Sequence, residues 1–112
     1  MAKFRFVSWL FDYINSRSSI IFEWDDANCT KSLSKHGVDN DMVESVFHDR
    51  NLLALGEQYQ PITHEVRYGI IGKSYTGEII FICFTIREQK IRPISSRFAN
   101  QKERRLYEKE VC

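Results

Sequence analysis

The apolar positions of this chain change their period twice, and each change predicts a different kind of element. Over residues 1–19, Phe4, Val7, Trp9, Leu10, Phe11 and Ile14 give a helix one apolar side, so this stretch reads as an amphipathic N-terminal extension to a domain covering 20–112. "SIIFEW" at 19–24 is a short β-prone run that ends on Asp25-Asp26, a helix N-cap pair. A first helix is therefore expected over residues 26–36, stopped by Gly37. Trp24, just before the cap, reads as a core or staple residue. Asp39 to Asp41 can cap a second helix that puts Met42, Val43, Val46 and Phe47 on one face and ends near His48-Asp49.

From residue 51 onward the spacing becomes that of strands. "NLLALG" is a short apolar run, and "THEVRYGIIG" alternates weakly, with Val66, Tyr68 and Ile70 on one side and Glu65 and Arg67 on the other. "KSYTG" has hairpin residues, and "EIIFICFTI" is almost unbroken apolar sequence, the pattern of a central strand buried on both faces. A tight connection at Arg87-Glu88-Gln89 leads into "KIRPISSR", where Pro93 lacks a ladder donor and implies an edge strand or a bulge. Asn100, three residues before Glu103, forms a capping-box pattern for a last helix over 101–110, whose few apolar positions are chiefly Leu106 and Tyr107. The order of elements specifies an α+β domain, with two N-terminal helices and a C-terminal helix on one side of a mostly antiparallel sheet of about four to five strands.

Charge adds an asymmetry that the near-neutral total conceals. Residues 87–110 hold eight Lys/Arg against four acids, whereas residues 1–86 hold eight against eleven. Such a split fits a basic working surface facing an anionic partner, and equally a solvated basic face. The three cysteines are widely spaced and form no C-x-x-C pair, which favours a reducing, cytoplasmic setting, with Cys83 a small core residue. No stretch approaches the ~20 apolar residues of a membrane span.

The candidate chemistry is that of cations. His36, His48 and His64 stand far apart without metal-ligand spacing, no glycine pattern fits a phosphate loop, and Ser95-Ser96 lack a nucleophile elbow. No metal or other cofactor is expected. What remains is Arg67, Arg87, Arg92 and Arg97 on consecutive strands, with Lys90 beside them and Arg104 and Arg105 beyond as further phosphate contacts. Guanidinium groups on one sheet surface suit a phosphodiester and the extra negative charge of a pentacoordinate phosphorus. RNA carries its own nucleophile, the 2′-hydroxyl, so orientation, charge and proton transfer suffice to cut it. Glu65 or a histidine can act as base, and a histidine or lysine as acid. Taken singly, each arginine also fits a surface ion pair. Lys35 and His36 either complement the carbonyl end of their helix or project toward the basic face.

The ordered set "FEWD", "KHGV", "VFHD", "HEVRYGIIG" and "FTIREQKIRPISSRFANQKERRLYE", spanning residues 22–108, resembles the BrnT-type toxins of bacterial type II toxin–antitoxin systems. The resemblance implies a RelE-like fold and a metal-independent endoribonuclease that arrests growth by cutting RNA. It implies a ribbon-helix-helix antitoxin of the BrnA type as partner, in a heterotetramer that represses its own operon and touches operator DNA only through the antitoxin. By position it implies an active site of Lys35, His36, Glu65, Arg67, Arg92 and Arg97, with Arg87 at the family's T-x-R turn. Leu106 and Tyr107 are then expected to face the antitoxin. Three positions depart from the family pattern: Glu88 replaces a glycine, Pro93 an isoleucine and His64 a glycine. A rival reading from another class is a non-catalytic module that grips antitoxin or nucleic acid and acts as a co-repressor. Glu65, Lys35 and His36 favour the enzyme, because a pure phosphate grip needs no proton carriers.

Overall fold

The computed structural model describes residues 3–5, 20–26, 28, 36–60 and 65–111. Its centre is an antiparallel sheet of four long strands, β2 (Leu53–Gln60), β3 (Arg67–Lys73), β4 (Ile79–Arg87) and β5 (Lys90–Phe98), adjacent in chain order. A three-residue strand, β1 (Lys3–Arg5), pairs antiparallel with the far end of β2. Extended backbone at Lys3–Arg5 replaces the helix expected there, and the rest of that proposed helix lies outside the described residues. The pairing with β1 accounts for the length of β2, which runs through polar Glu57, Gln58 and Gln60, where side-chain pattern alone gives no strand signal.

The unbroken apolar run of β4 is buried along most of its length because it lies between β3 and β5 and under cover on both faces. One face carries Ile70, Ile80, Ile82 and Phe84 packed against Met42, Val43 and Val46 of α1 (Asn40–Val46). The opposite face carries Ile71, Phe81 and Cys83 against Tyr107 of α2 (Gln101–Val111). Successive strand residues point to opposite faces, so α1 and α2 sandwich the sheet instead of sharing one side of it. The helix expected over 26–36 lies almost entirely outside the described residues. Gly37, at φ 76°, follows His36 in the left-handed conformation that its position was expected to need.

Both described helices are capped as their sequences specify. Asp39 accepts the Met42 amide at 2.8 Å. Asn100 and Glu103 satisfy each other reciprocally, Glu103 N–H donating to Asn100 Oδ1 (2.8 Å) and Asn100 N–H to Glu103 Oε1 (3.0 Å). The "SIIFEW" run forms one parallel bridge, Phe22 to Ile91, rather than a full strand. Through it, residues 21–23 cover the outer edge of β5, with Ile91 N–H donating to Ile21 O and Glu23 N–H to Ile91 O, each at 2.8 Å. Pro93 sits beside a register shift: Phe84 pairs with Pro93, but Cys83 pairs with Ser95. The bulge absorbs the missing donor. Val66, expected to share the apolar side of Tyr68 and Ile70, is 47% exposed, because β3 begins only at Arg67.

Candidate functional site

Antiparallel order brings the start of β3, the end of β4 and the start of β5 to one end of the sheet. Glu65 lies just before β3, Arg67 opens it, Arg87 closes β4, and Arg92 is the third residue of β5. Thr85 ties the group together, its hydroxyl donating to Val66 O at 2.6 Å while its backbone is in register with Arg92. The turn between β4 and β5 is two residues long, and Glu88 and Gln89 both have positive φ (49° and 65°), as a type I′ hairpin requires. Glutamate in place of the family's glycine therefore leaves the tight turn in place, and Arg87 with it.

These residues line an open cleft of about 220 Å³, walled by Asn28, Glu65, Arg67, Arg87, Arg92, Pro93 and Ile94. That is smaller than the ~300–1,000 Å³ of sites that engulf a small molecule. It suits one phosphate-sized portion of a longer chain.

The electrostatics are more balanced than the basic surface that sequence charge suggests. Arg87 Nε donates to Glu65 Oε2 at 2.5 Å, and Arg87 Nη1 lies 3.6 Å from Glu23 Oε1. Arg92 makes a forked contact with Asp25, Nη1 to Oδ2 at 2.7 Å and Nη2 to Oδ1 at 3.1 Å, and reaches Glu23 Oε1 at 3.1 Å. Three guanidiniums thus face three carboxylates. Arg67 differs from the other two: its Nε is buried and has no hydrogen-bond partner among the described residues. An unpaired buried charged donor is costly, and this one belongs to a residue lining the cleft. The hydrogen bond from Arg87, with the added charge of Arg67 and Arg92, outweighs burial and holds the Glu65 carboxyl below its ordinary range. The same contacts raise Arg87 (by Glu65 first) and Arg92 (by Asp25 first).

The cleft gathers four of the residues expected at a working site: Glu65, Arg67, Arg87 and Arg92. Arg97 is elsewhere. It lies on the α2 face, where its guanidinium sits 4.4 Å above the Phe81 ring and forks onto Glu103 (2.7 and 2.9 Å), so it secures α2 instead of facing the cleft. Four residues, with the bulge among them, lie between it and Arg92 on β5, which carries it toward the strand's other end. Tyr107 is also a correction: at 3% exposure it packs in the core on Ile71, Phe81 and Cys83 and donates to Asp49 Oδ2 at 2.6 Å. Of the pair expected to face an antitoxin, only Leu106 is exposed. Lys90 pairs with Arg87 across the hairpin without lining the cleft, while Arg104 and Arg105 are exposed on α2. His36 is exposed and does not line the cleft, and Lys35 and His64 lie outside the described residues.

Three participants escaped sequence reasoning. Glu23 and Asp25 read there as the end of a strand and a cap. Asn28, 7% exposed, has its Oδ1 accepting the Asp25 amide (2.7 Å) while its Nδ2 donates to Glu23 O (3.1 Å) and Pro93 O (2.8 Å). It fastens Glu23 and Asp25 to the bulge of β5. The hint in the sequence was Pro93, which implies a bulge in β5, and a bulge leaves backbone groups outside the ladder to be satisfied. Among the described residues, no three His, Cys, Asp or Glu side chains form a group able to hold a metal ion, and no helix is long and apolar enough to cross a membrane.

Comparison with known proteins now bears on this geometry. The family model for the ribonuclease toxin BrnT of type II toxin–antitoxin systems matches residues 24–103. Among solved structures, the ribonuclease toxin BrnT of Brucella abortus is similar in fold, with a TM-score of 0.53 at 23% identity, covering 74% of this chain and 100% of that one. By sequence, no curated protein matches.

Proposed function

Since the chain belongs to the BrnT family of ribonuclease toxins of type II toxin–antitoxin systems, we propose that the Glu65–Arg67–Arg87–Arg92 cleft is where it cuts RNA. The observation that supports this most is the convergence of three guanidiniums and one carboxylate on a phosphate-sized cleft, with a buried Arg67 Nε left unpaired among the described residues. A scissile phosphodiester supplies the acceptor that Arg67 Nε lacks among the described residues, and Arg92 and Arg87 take its remaining charge.

The 2′-hydroxyl oxygen forms a bond to phosphorus, the bond from phosphorus to the 5′-oxygen breaks, and a cyclic phosphate is left. Glu65, ionised at neutral pH, accepts the 2′-hydroxyl proton. Its proton affinity rises when the phosphate draws Arg87 away from it. The arginines stabilise the dianionic phosphorus of the transition state more than the monoanionic ground state, which is the differential binding catalysis requires. No step requires a metal. The leaving 5′-oxygen takes a proton from water.

In the cell, this chemistry acts in the cytoplasm to block translation and arrest growth. A ribbon-helix-helix antitoxin neutralises the toxin in a heterotetramer that represses the shared operon. Leu106 and the exposed arginines of α2 offer it a surface next to buried Tyr107. The test is incubation of purified protein with RNA in EDTA. Cleavage that disappears in Arg67→Ala and Arg92→Ala, with circular dichroism unchanged, supports the enzyme. RNA that stays intact while still being bound overturns it in favour of a non-catalytic co-repressor.

A further inference from the structure

We propose that Asp25 sits where a substrate phosphate binds, holding Arg92 in its phosphate-receiving pose until RNA displaces the carboxylate. The inference rests on the cleft assignment above and concerns its resting state. A carboxylate and a phosphodiester each present a pair of anionic oxygens to the guanidinium fork. Asp25 fills that fork on Arg92 with both oxygens, at 2.7 and 3.1 Å.

Burial decides which partner stays and which leaves. The Arg92 side chain is only 12% exposed, so it needs a counter-charge whenever RNA is absent. The Asp25 side chain is 51% exposed, so it can return to water at little cost, as exposed ion-pair partners generally can. Its backbone does not need to move. Asn28 fixes the Asp25 amide and spans from Glu23 O to Pro93 O, so a side-chain rotation alone clears the seat. Glu23, bridging Arg87 and Arg92, supports the same arrangement from the side.

Asp25 therefore competes with the substrate, and removing its charge should tighten binding. A labelled single-stranded 2′-deoxy oligonucleotide, which lacks the internal nucleophile, reads binding apart from cleavage by fluorescence anisotropy at fixed salt. Asp25→Asn is expected to lower its Kd roughly three- to tenfold, the scale of one released partly exposed ion pair. Glu108→Gln, which removes the same charge from exposed α2, is expected to change it by less than about twofold. Adding Arg92→Ala to Asp25→Asn should abolish the gain. Glu23→Gln should act in the same direction as Asp25→Asn and stands in for it if that variant does not fold.

An unchanged or weaker Kd in folded Asp25→Asn overturns the proposal, as does equal tightening in Glu108→Gln. Tighter binding by Asp25→Asn, alongside a wild-type protein that leaves RNA uncut, upholds the seat and removes the ribonuclease reading. Absence of binding in every variant removes both.

Discussion

Arg97 on β5 and Glu103 on α2 form a two-pronged ion pair, at 2.7 and 2.9 Å, over the face of Phe81. The same carboxylate accepts the Asn100 amide, so one side chain caps the helix and anchors it to the sheet. Glu103→Ala should therefore lower stability by about 1–3 kcal/mol, combining a lost cap with a lost charged hydrogen bond. Arg97→Ala should also destabilise, because it leaves a buried carboxylate without its counter-ion. Neither change touches the cleft, so RNA cleavage by folded protein should persist in both. Urea denaturation and a cleavage assay on the same samples check this, and loss of cleavage in a well-folded Arg97→Ala would return that residue to the active site.

The same pair has a pH signature. Burial works to raise the Glu103 carboxyl, but the hydrogen bonds from Arg97 and Asn100 and the charge of Arg97 outweigh it and hold the group below 4.5 in the folded state. A depressed folded value means that the stabilisation is complete above 4.5 and is lost as pH falls through the lower, folded value. Wild-type stability should thus drop on acidification below about pH 4.5, more steeply than that of Glu103→Gln, which cannot titrate. Thermal melts between pH 3 and pH 7 measure the difference.

Glu65 makes a matching prediction for activity. Arg87 first, then Arg67 and Arg92, keep its carboxyl below the ordinary value, so it is ionised throughout the neutral range. Glu65→Gln should lower the cleavage rate by about a hundredfold or more, the usual worth of a positioned base, with less effect on KM. In the free enzyme this carboxylate should produce no inflection in kcat/KM between pH 5 and pH 8. An acid limb from Glu65 near pH 6 would mean that the arginines do not hold it as they are placed to do.

Much of this arrangement was legible in the sequence, and the illegible part has a common cause. The buried run of β4, the Asn100–Glu103 box and the Pro93 bulge are local signals, each fixed by residues a few positions apart. What pairs across the fold is not written locally. Charge counting treated residues 87–110 as a basic surface, but Glu23, Asp25 and Glu65 fold back to neutralise Arg87 and Arg92. The family resemblance grouped Arg97 with Arg92, but the length of β5 carries Arg97 to the strand's other end, where Glu103 claims it. Tyr107 looked like one of the few apolar residues on a solvated helix. Only the second apolar face of the sheet, with Asp49 beside it, shows why it turns inward.

The turn carrying Arg87 stores removable strain. Glu88 has φ 49°, in the left-handed region, where a side chain with a Cβ and no local hydrogen bond to its own backbone is disfavoured. Asparagine tolerates that region better and favours this position of a type I′ turn. Glu88→Asn should therefore stabilise the protein by about 0.5–1 kcal/mol, a rise of roughly 2–8 °C in Tm for a domain of this size. Because the turn geometry is kept, cleavage should not change. A lower Tm would show that Glu88 is held by something worth more than its strain.

Gly72 tests the packing that orients the sheet against α1. A Cβ built there would lie 2.8 Å from Val46 Cγ1 and 3.3 Å from both Val46 O and Asp49 Oδ2. Val46 is fully buried, so the methyl group has no space to enter without moving α1. The Asp49 oxygen it crowds also receives the Tyr107 hydroxyl and the Lys73 amide, which link α1, α2 and β3. Gly72→Ala should consequently destabilise by about 1–3 kcal/mol through overpacking, against the gain of a few tenths that alanine normally brings over glycine in a strand. Gly77→Ala is a useful contrast: its Cβ would meet nothing within 4 Å, but its φ of 89° penalises alanine for backbone strain alone. Equilibrium denaturation of the two variants separates the mechanisms, because Val46→Ala should relieve the cost at Gly72 and leave the cost at Gly77 untouched. If Val46→Ala does not couple to Gly72→Ala, α1 is not seated on β3 through this contact.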